Sequence, residues 1–492
     1  MIAFHGMADA RPPEAPSLKA RHSSPIATRI VESLSRDIFL LLLPAVALAL
    51  GVFWAAVIPL WQSPDEPAHF AYIQSLGEEN RLFPRPEFSR EITDAYELSG
   101  LVRVPFDAAA RQPLIAGSAW GPTEREVVSL PATLRDEIVA HSRNPALSYP
   151  PGYYLFASLV YRALASHDIL TIMFALRVFS AVLTAFTVLI GYLALRLYFK
   201  DRGVARTAAF LMALSPMYIY MGMAVNVDVL VWLLFTVQVY LLTRSLQEGL
   251  SSQKNLALAV LIGAGLWVKQ TFVIGILFHM LLLAFMTFRR SIRWATAVRF
   301  MLVLFGVILL MDGWLYVGGG VATTPGVSAP RLSLGGFLRH FAEHWSSYRW
   351  ALQETFWGSF GWLDTPLSKT LYAAVGLVSL GALVGFVAYL VVVTLRRQPP
   401  DAAVFFFFLL IVVFLGAMSA LNYAVVQSGA GWFLQGRYLF PLMAPILAVL
   451  VTGLTWFAPK RLKQMILFGT IGAMTLFHTT VLFNYVIPRY YL

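Results

Sequence analysis

The chain is expected to be an all-α polytopic membrane protein of about eleven transmembrane helices, with a long first outer loop that carries interfacial helices. Two observations lead there. Of 492 residues, 58% are hydrophobic and only 13% are charged, whereas an average soluble domain is about 25% charged. The apolar residues also gather in runs long enough to cross a hydrocarbon layer of about 30 Å. A soluble enzyme of this length would lack the polar surface to cover itself. A disordered chain and a nucleic-acid-binding protein are excluded on the same ground, despite a formal net charge of +11. The absence of cysteine excludes disulfides, iron–sulfur clusters and thiolate zinc sites.

Residues 1–37 are polar and proline-rich, an N-terminal tail. The first apolar run, 38–60, lies too deep in the chain for an ordinary signal peptide and is read as a retained span. A polar segment of about 61–170 follows, with 13 acidic and 8 basic residues up to position 143. Within it, 152–165 is apolar but only about 14 residues long, short for a span of about 20. Further apolar runs stand near 171–198, 204–223, 227–243, 255–268, 271–288, 300–317, 370–395, 402–423, 438–457 and 464–486. One transmembrane domain is therefore expected over 38–486, with outer loops 61–170 and 318–369 and a short outer tail at 487–492.

Orientation follows from Lys and Arg. The clusters Arg196/Lys200/Arg202/Arg206, Arg244/Lys254, Arg289/Arg290/Arg293/Arg299, Arg396/Arg397 and Lys460/Arg461/Lys463 fall on one side with the N-terminal tail if 152–165 does not cross. That side is then cytoplasmic, where its excess of positive charge suits anionic headgroups of the membrane lipids. The segment 152–165 becomes an interfacial or re-entrant helix.

Six groups of polar and aromatic residues then fall on the opposite, outer side. In Ser63-Pro64-Asp65-Glu66-Pro67-Ala68-His69, Ser63 and Glu66 form a capping-box pattern with Pro64 at the first helical position. Asp65, His69 and Tyr72 would share a helix face. Asp65 and Glu66 are the candidate catalytic acids. With His69 they could instead hold a divalent cation, Mg or Mn. The second group runs from His141 to Tyr154, with Tyr149 before a Pro-Pro pair. It suits a helix start at the interface or the lining of a cavity. Asn226 and Asp228 follow the Ser215-Pro216 break, either as a cap or as a functional intramembrane carboxylate. Lys269 could snorkel or meet a phosphate, with Asp312 as a possible partner. Phe356 to Asp364 interleaves glycines with aromatics. Trp362 there could stack on a sugar ring, with Asp364 beside it, or the segment could be an interfacial belt. His340 and His344 nearby are read as surface residues. Arg437, with Tyr438, enters a span from the outer side, where the positive-inside rule disfavours it. Its fork suits a phosphate or a carboxylate.

At Pro64-Asp65-Glu66-x-x-His69 the chain resembles the GT-C superfamily of integral-membrane glycosyltransferases. Tyr149-Pro150-Pro151-Gly152-Tyr153-Tyr154 resembles the H-P-P-x-Y-Y stretch of its protein mannosyltransferase-like branch, with Tyr149 in place of the His. Ser215-Pro216, Asn226-x-Asp228, Phe360 to Asp364 and Gly436-Arg437-Tyr438 resemble an uncharacterised bacterial membrane-protein family grouped with it. The resemblance implies a GT-C-like fold and a polyprenyl-phosphate-linked sugar donor, such as an undecaprenyl one. It implies a glycan, lipid or glycolipid acceptor in cell-envelope assembly, a site facing the periplasm from the bacterial inner membrane, and a base role for Asp65. The alternative is a transporter, flippase or non-catalytic binder of lipid-linked sugars.

Overall fold

The computed structural model describes residues 37–79, 82, 85, 87–99, 120–317, 333–396, 402–429 and 431–491. The tail over 1–36 and the loop segment 318–332 lie outside the described residues. Among the described residues nine helices are long and apolar enough to cross a membrane, from Phe39–Val57 to Lys460–Tyr491. A tenth candidate is a bent pair, Arg202–Leu214 and Pro216–Met223, meeting at 58°. The bend has a local cause. Pro216 lacks an N–H and crowds the residue before it, so Ser215 is extended and the helix restarts.

The expected count of eleven differs at 255–268. That run forms Ser252–Leu266, only 15 residues, about 22 Å at 1.5 Å per residue. Its start lies at the Lys254–Glu248 ion pair and its end at Lys269. The final helix carries on to Tyr491, so 487–491, expected as a tail, is helical.

Ion pairs gather the helix ends into two sets. Asp37, just before the first span, meets Arg196 and Arg206 at 3.3 and 3.2 Å, and Lys463 meets Asp201 at 3.2 Å. At the other end of the same helices, Arg177 donates to the carbonyls of Ala55, Ile58 and Pro59. The first two spans are thus antiparallel, and the end of the first and the start of the second lie on the same side. Gly152–Ala163, 12 residues and about 18 Å long, is too short to cross. It buries Tyr153, Tyr154 and Tyr161 and exposes Leu155, Phe156 and Leu159, the two-sided character of an interfacial helix.

The spans differ in burial. The windows of Trp294–Gly313 and Lys369–Leu395 are 11% buried, and that of Gly436–Thr455 is 78% buried. The last is the central helix, and it carries Arg437 at its end. Lys369–Leu395 packs on it at backbone distance: a Cβ on Gly453 would run into the Ala382 carbonyl.

Candidate functional site

Three backbone features assemble the site. The chain leaves the first span through Trp61 and Asp65, both at positive φ (62° and 67°), a conformation uncommon outside glycine and often found at functional sites. The helix then starts at Glu66, with the Asp65 carbonyl accepting from the N–H groups of Ala68 and His69. The expected capping box is not made: among the described residues the Ser63 hydroxyl has no partner. At the second feature, the Gly152 N–H donates to the Trp267 carbonyl at 2.8 Å, and a Cβ there would strike that carbonyl. This contact brings Tyr149 beside Lys269. Third, Gly436 packs against the backbone of Phe356, again with no space for a Cβ, which seats Arg437 and Tyr438.

Asp65 accepts from the Arg437 guanidinium, Nη2 to Oδ2, at 2.8 Å. The Asp65 side chain is 43% exposed and that of Arg437 is 7% exposed. Burial works against charge on Asp65, but the Arg437 guanidinium, with His69 and Lys269 nearby, outweighs it and holds the carboxyl below the usual aspartate range. Among the described residues Arg437 Nε and Nη1 have no hydrogen-bond partner. Next to them the Lys269 ammonium pairs with Asp228 at 2.5 Å. It lies 5.0 Å from the Tyr149 ring and 5.3 Å from the Tyr438 ring. Burial disfavours the Lys269 charge, but Asp228 together with Tyr149 and Tyr438 more than offsets this and lifts it above the usual lysine range. Asn226 Oδ1 accepts from the Asp228 N–H at 2.9 Å. Asn226 therefore does the local capping and leaves the Asp228 carboxylate to Lys269.

His69 is a wall residue. Its Nδ1 meets the Tyr154 hydroxyl at 2.7 Å, and its ring stacks on Tyr149 and Tyr154. Tyr154 in turn stacks on Tyr72 at 3.7 Å. Burial pushes the His69 ring down to about 4, against the pull of Asp65 and Asp228, so it is neutral at pH 7.

Two expected site residues are placed elsewhere. Glu66, read as a catalytic acid, is fully buried and accepts from Arg177 Nε and Nη2 at 2.9 and 2.6 Å. It also accepts from the Val225 N–H. With its three backbone carbonyls, the Arg177 guanidinium has acceptors at every nitrogen. This is an internal clamp between the first loop and two spans. Asp364 pairs with Arg489 of the last helix at 2.6 Å and fastens the Ser359–Phe360/Thr365–Pro366 hairpin, whose turn uses Gly361 at φ 61°. For the same reason Asp65, Glu66 and His69 do not converge on a cation. Among the described residues no group of three His, Asp or Glu side chains is set to hold a metal ion. Asp312 is not the partner of Lys269, which pairs with Asp228; among the described residues both its carboxylate oxygens are buried without partners.

Trp362 does reach the site. Its Nε1 donates to the Trp61 carbonyl at 2.8 Å, and it lines a cleft of about 470 Å³ with Asp65, Phe88, Thr93, Tyr96 and Glu97. The cleft wall from helix Arg90–Leu98 was not expected. That helix is short and polar, and nothing in its sequence marks it as facing the site.

No curated protein matches the chain. Among solved structures it is similar to ArnT from Cupriavidus metallidurans bound to undecaprenyl phosphate, at 12% identity and a TM-score of 0.49, covering 93% of this chain and 66% of that one. It is also similar to the Archaeoglobus fulgidus oligosaccharyltransferase tethered with an acceptor peptide, at 13% identity and a TM-score of 0.47, covering 93% and 56%. The chain thus spans just under two thirds of the first and little over half of the second. Its residues 48–446 match the family model described as "Predicted membrane protein (DUF2142)"; the stretch includes Asp65, Asp228, Lys269 and Arg437, and the chain belongs to that family of integral membrane proteins.

Proposed function

We propose that the protein is a membrane glycosyltransferase of the GT-C kind that moves a sugar from a polyprenyl-phosphate-linked donor to an acceptor on the outer, periplasmic face of the inner membrane. The observation that carries this reading is the contrast between two buried arginines. Arg177 has an acceptor for every nitrogen. Arg437 leaves Nε and Nη1 empty in a buried place, where each unmade bond costs about 1–3 kcal/mol. A phosphate oxygen is an acceptor that suits such a charged, buried donor. Lys269 stands by as a second cation, already half-neutralised by Asp228.

In this reading the donor phosphate sits on Arg437 and its lipid tail stays in the bilayer. Asp65 takes the proton of the acceptor hydroxyl. The acceptor oxygen bonds to the anomeric carbon as the bond from that carbon to the phosphate oxygen breaks in line, with inversion. Polyprenyl phosphate leaves with its charge held by Arg437 and Lys269. Because Asp65 is anchored to the same guanidinium, base and phosphate are held in fixed register. Tyr149, Tyr438 and the His69–Tyr154–Tyr72 stack serve as rigid walls.

The test is release of polyprenyl phosphate from a panel of polyprenyl-phosphate sugars by the protein in lipid nanodiscs, compared with Asp65→Asn. Release that depends on Asp65 supports the reading. Donor binding with no release under any acceptor would overturn it in favour of a carrier or binder of lipid-linked sugars.

A further inference from the structure

The cleft beside Asp65 differs in charge from the Arg437 side of the same carboxylate. Its walls come from two helices and a loop. Thr93, Tyr96 and Glu97 lie at i, i+3 and i+4 of helix Arg90–Leu98 and share a face. Asp65, with Pro67 and Ala68 at the start of Glu66–Glu79, and Trp362 complete the lining. The Trp362 ring is pinned by its bond to the Trp61 carbonyl, so it offers a fixed apolar face at little entropic cost. Among the described residues the only charged groups lining the cleft are Asp65 and Glu97, and both are acidic. The cations, Arg437 and Lys269, lie outside its lining. The volume, about 470 Å³, falls in the range of about 300–1,000 Å³ usual for small-molecule sites.

We propose that this cleft is the acceptor subsite and that it selects an uncharged or amino-bearing saccharide, stacked on Trp362 with a hydroxyl toward Asp65, and discriminates against phosphorylated or otherwise anionic acceptors. The inference rests on the transferase reading for the word acceptor. Its content, a saccharide site with a charge preference, does not depend on turnover. The physical basis is separation of charge. An anionic donor group goes to the arginine side, and the acidic cleft keeps a second anion out. Aromatic stacking and hydroxyl hydrogen bonds then recognise a neutral ring. Glu97 is the residue that sets the sign, because it is exposed and, unlike Asp65 with Arg437, forms no ion pair among the described residues.

The experiment uses the full chain in nanodiscs and ligand-observed saturation-transfer NMR. The probes are a methyl hexoside, the matching 2-amino hexoside and the matching hexose 6-phosphate. The first two are expected to bind in a manner lost in Trp362→Leu. The phosphate is expected to bind about ten-fold more weakly to the wild type. That gap should close in Glu97→Gln and reverse in Glu97→Lys, two surface changes that leave the fold intact. Equal or tighter binding of the hexose phosphate by the wild type, or an order unmoved by Glu97→Lys, would overturn the assignment. Polyprenyl-phosphate release is measured on the same samples. Absent release with the saccharide order intact refutes the transferase reading alone, and release with the order reversed refutes the acceptor preference alone.

Discussion

Replacing either buried arginine by methionine removes the same chemistry, yet the two changes are expected to do opposite things. Arg437→Met deletes two empty donors and one bond to Asp65. Charge-assisted hydrogen bonds contribute about 1.5–3 kcal/mol each. Losing a phosphate bond should therefore weaken polyprenyl-phosphate binding by about 1.5–3 kcal/mol, or roughly 10–10²-fold in Kd. Stability should hardly fall. Asp65 is 43% exposed on its side chain and keeps its hydration, so its bond to Arg437 is a partly screened one. Two unsatisfied buried donors are removed with it, and the melting temperature should stay level or rise. Arg177→Met instead strands the fully buried Glu66 and should cost about 3–5 kcal/mol of stability. Native mass spectrometry with undecaprenyl phosphate reads binding, and intrinsic-fluorescence melting reads stability. If Arg437→Met bound the lipid phosphate like wild type, or lost as much stability as Arg177→Met, the assignment of the two roles would be wrong.

Asp65→Asn keeps the shape of the site and one acceptor oxygen for Arg437, so it should lower kcat by about 10²–10⁴-fold with donor binding changed far less; an equal loss in kcat and donor affinity would count against a base role. Glu66→Gln should act on stability and not on the chemical step, and its folded fraction should retain turnover, read as activity per mole of folded protein. The His69 ring titrates near 4 in the folded protein and near 6.5 when unfolded. The folded state thus holds fewer protons between these values. Its contribution to stability is complete above about pH 6.5 and is lost as the pH falls toward 4, by up to about 3 kcal/mol. Melting curves from pH 7.5 to 4.5 should therefore fall less steeply in His69→Gln than in wild type, and parallel curves would refute it. Lys269→Met leaves Asp228 buried beside Tyr149 and should weaken both stability and lipid-phosphate binding, whereas the double change with Asp228→Leu should recover stability without recovering binding.

Much of the architecture was legible because a bilayer imposes it locally. Each span must be a run of apolar residues, and basic residues mark one side, so composition and charge place most helices and face the polar groups together. Where a helix is short, as at Ser252–Leu266, or broken, as at Ser215-Pro216, the count blurs. Packing on neighbours, not length, decides how such a piece is used. Asp65, Lys269 and Arg437 were also legible as candidates, since charge near a span end is costly and invites explanation. What the linear order could not reveal was pairing. Asp65 and Glu66 are adjacent, but successive residues at a helix start diverge. One carboxylate faces Arg437, 372 positions away, and the other faces Arg177, 111 positions away. Asp364 meets Arg489 across 125 positions. A carboxylate's role depends on whether its partner is itself fully satisfied, and on whether a cleft opens on its free side. Both are properties of distant segments brought within 3 Å. The sequence by itself therefore determined the membrane fold and drew up a short list of candidate residues, because these follow from local hydrophobicity and charge. Only the tertiary structure decided which arginine is a clamp and which is left open, because that depends on the geometry of all donors and acceptors around it.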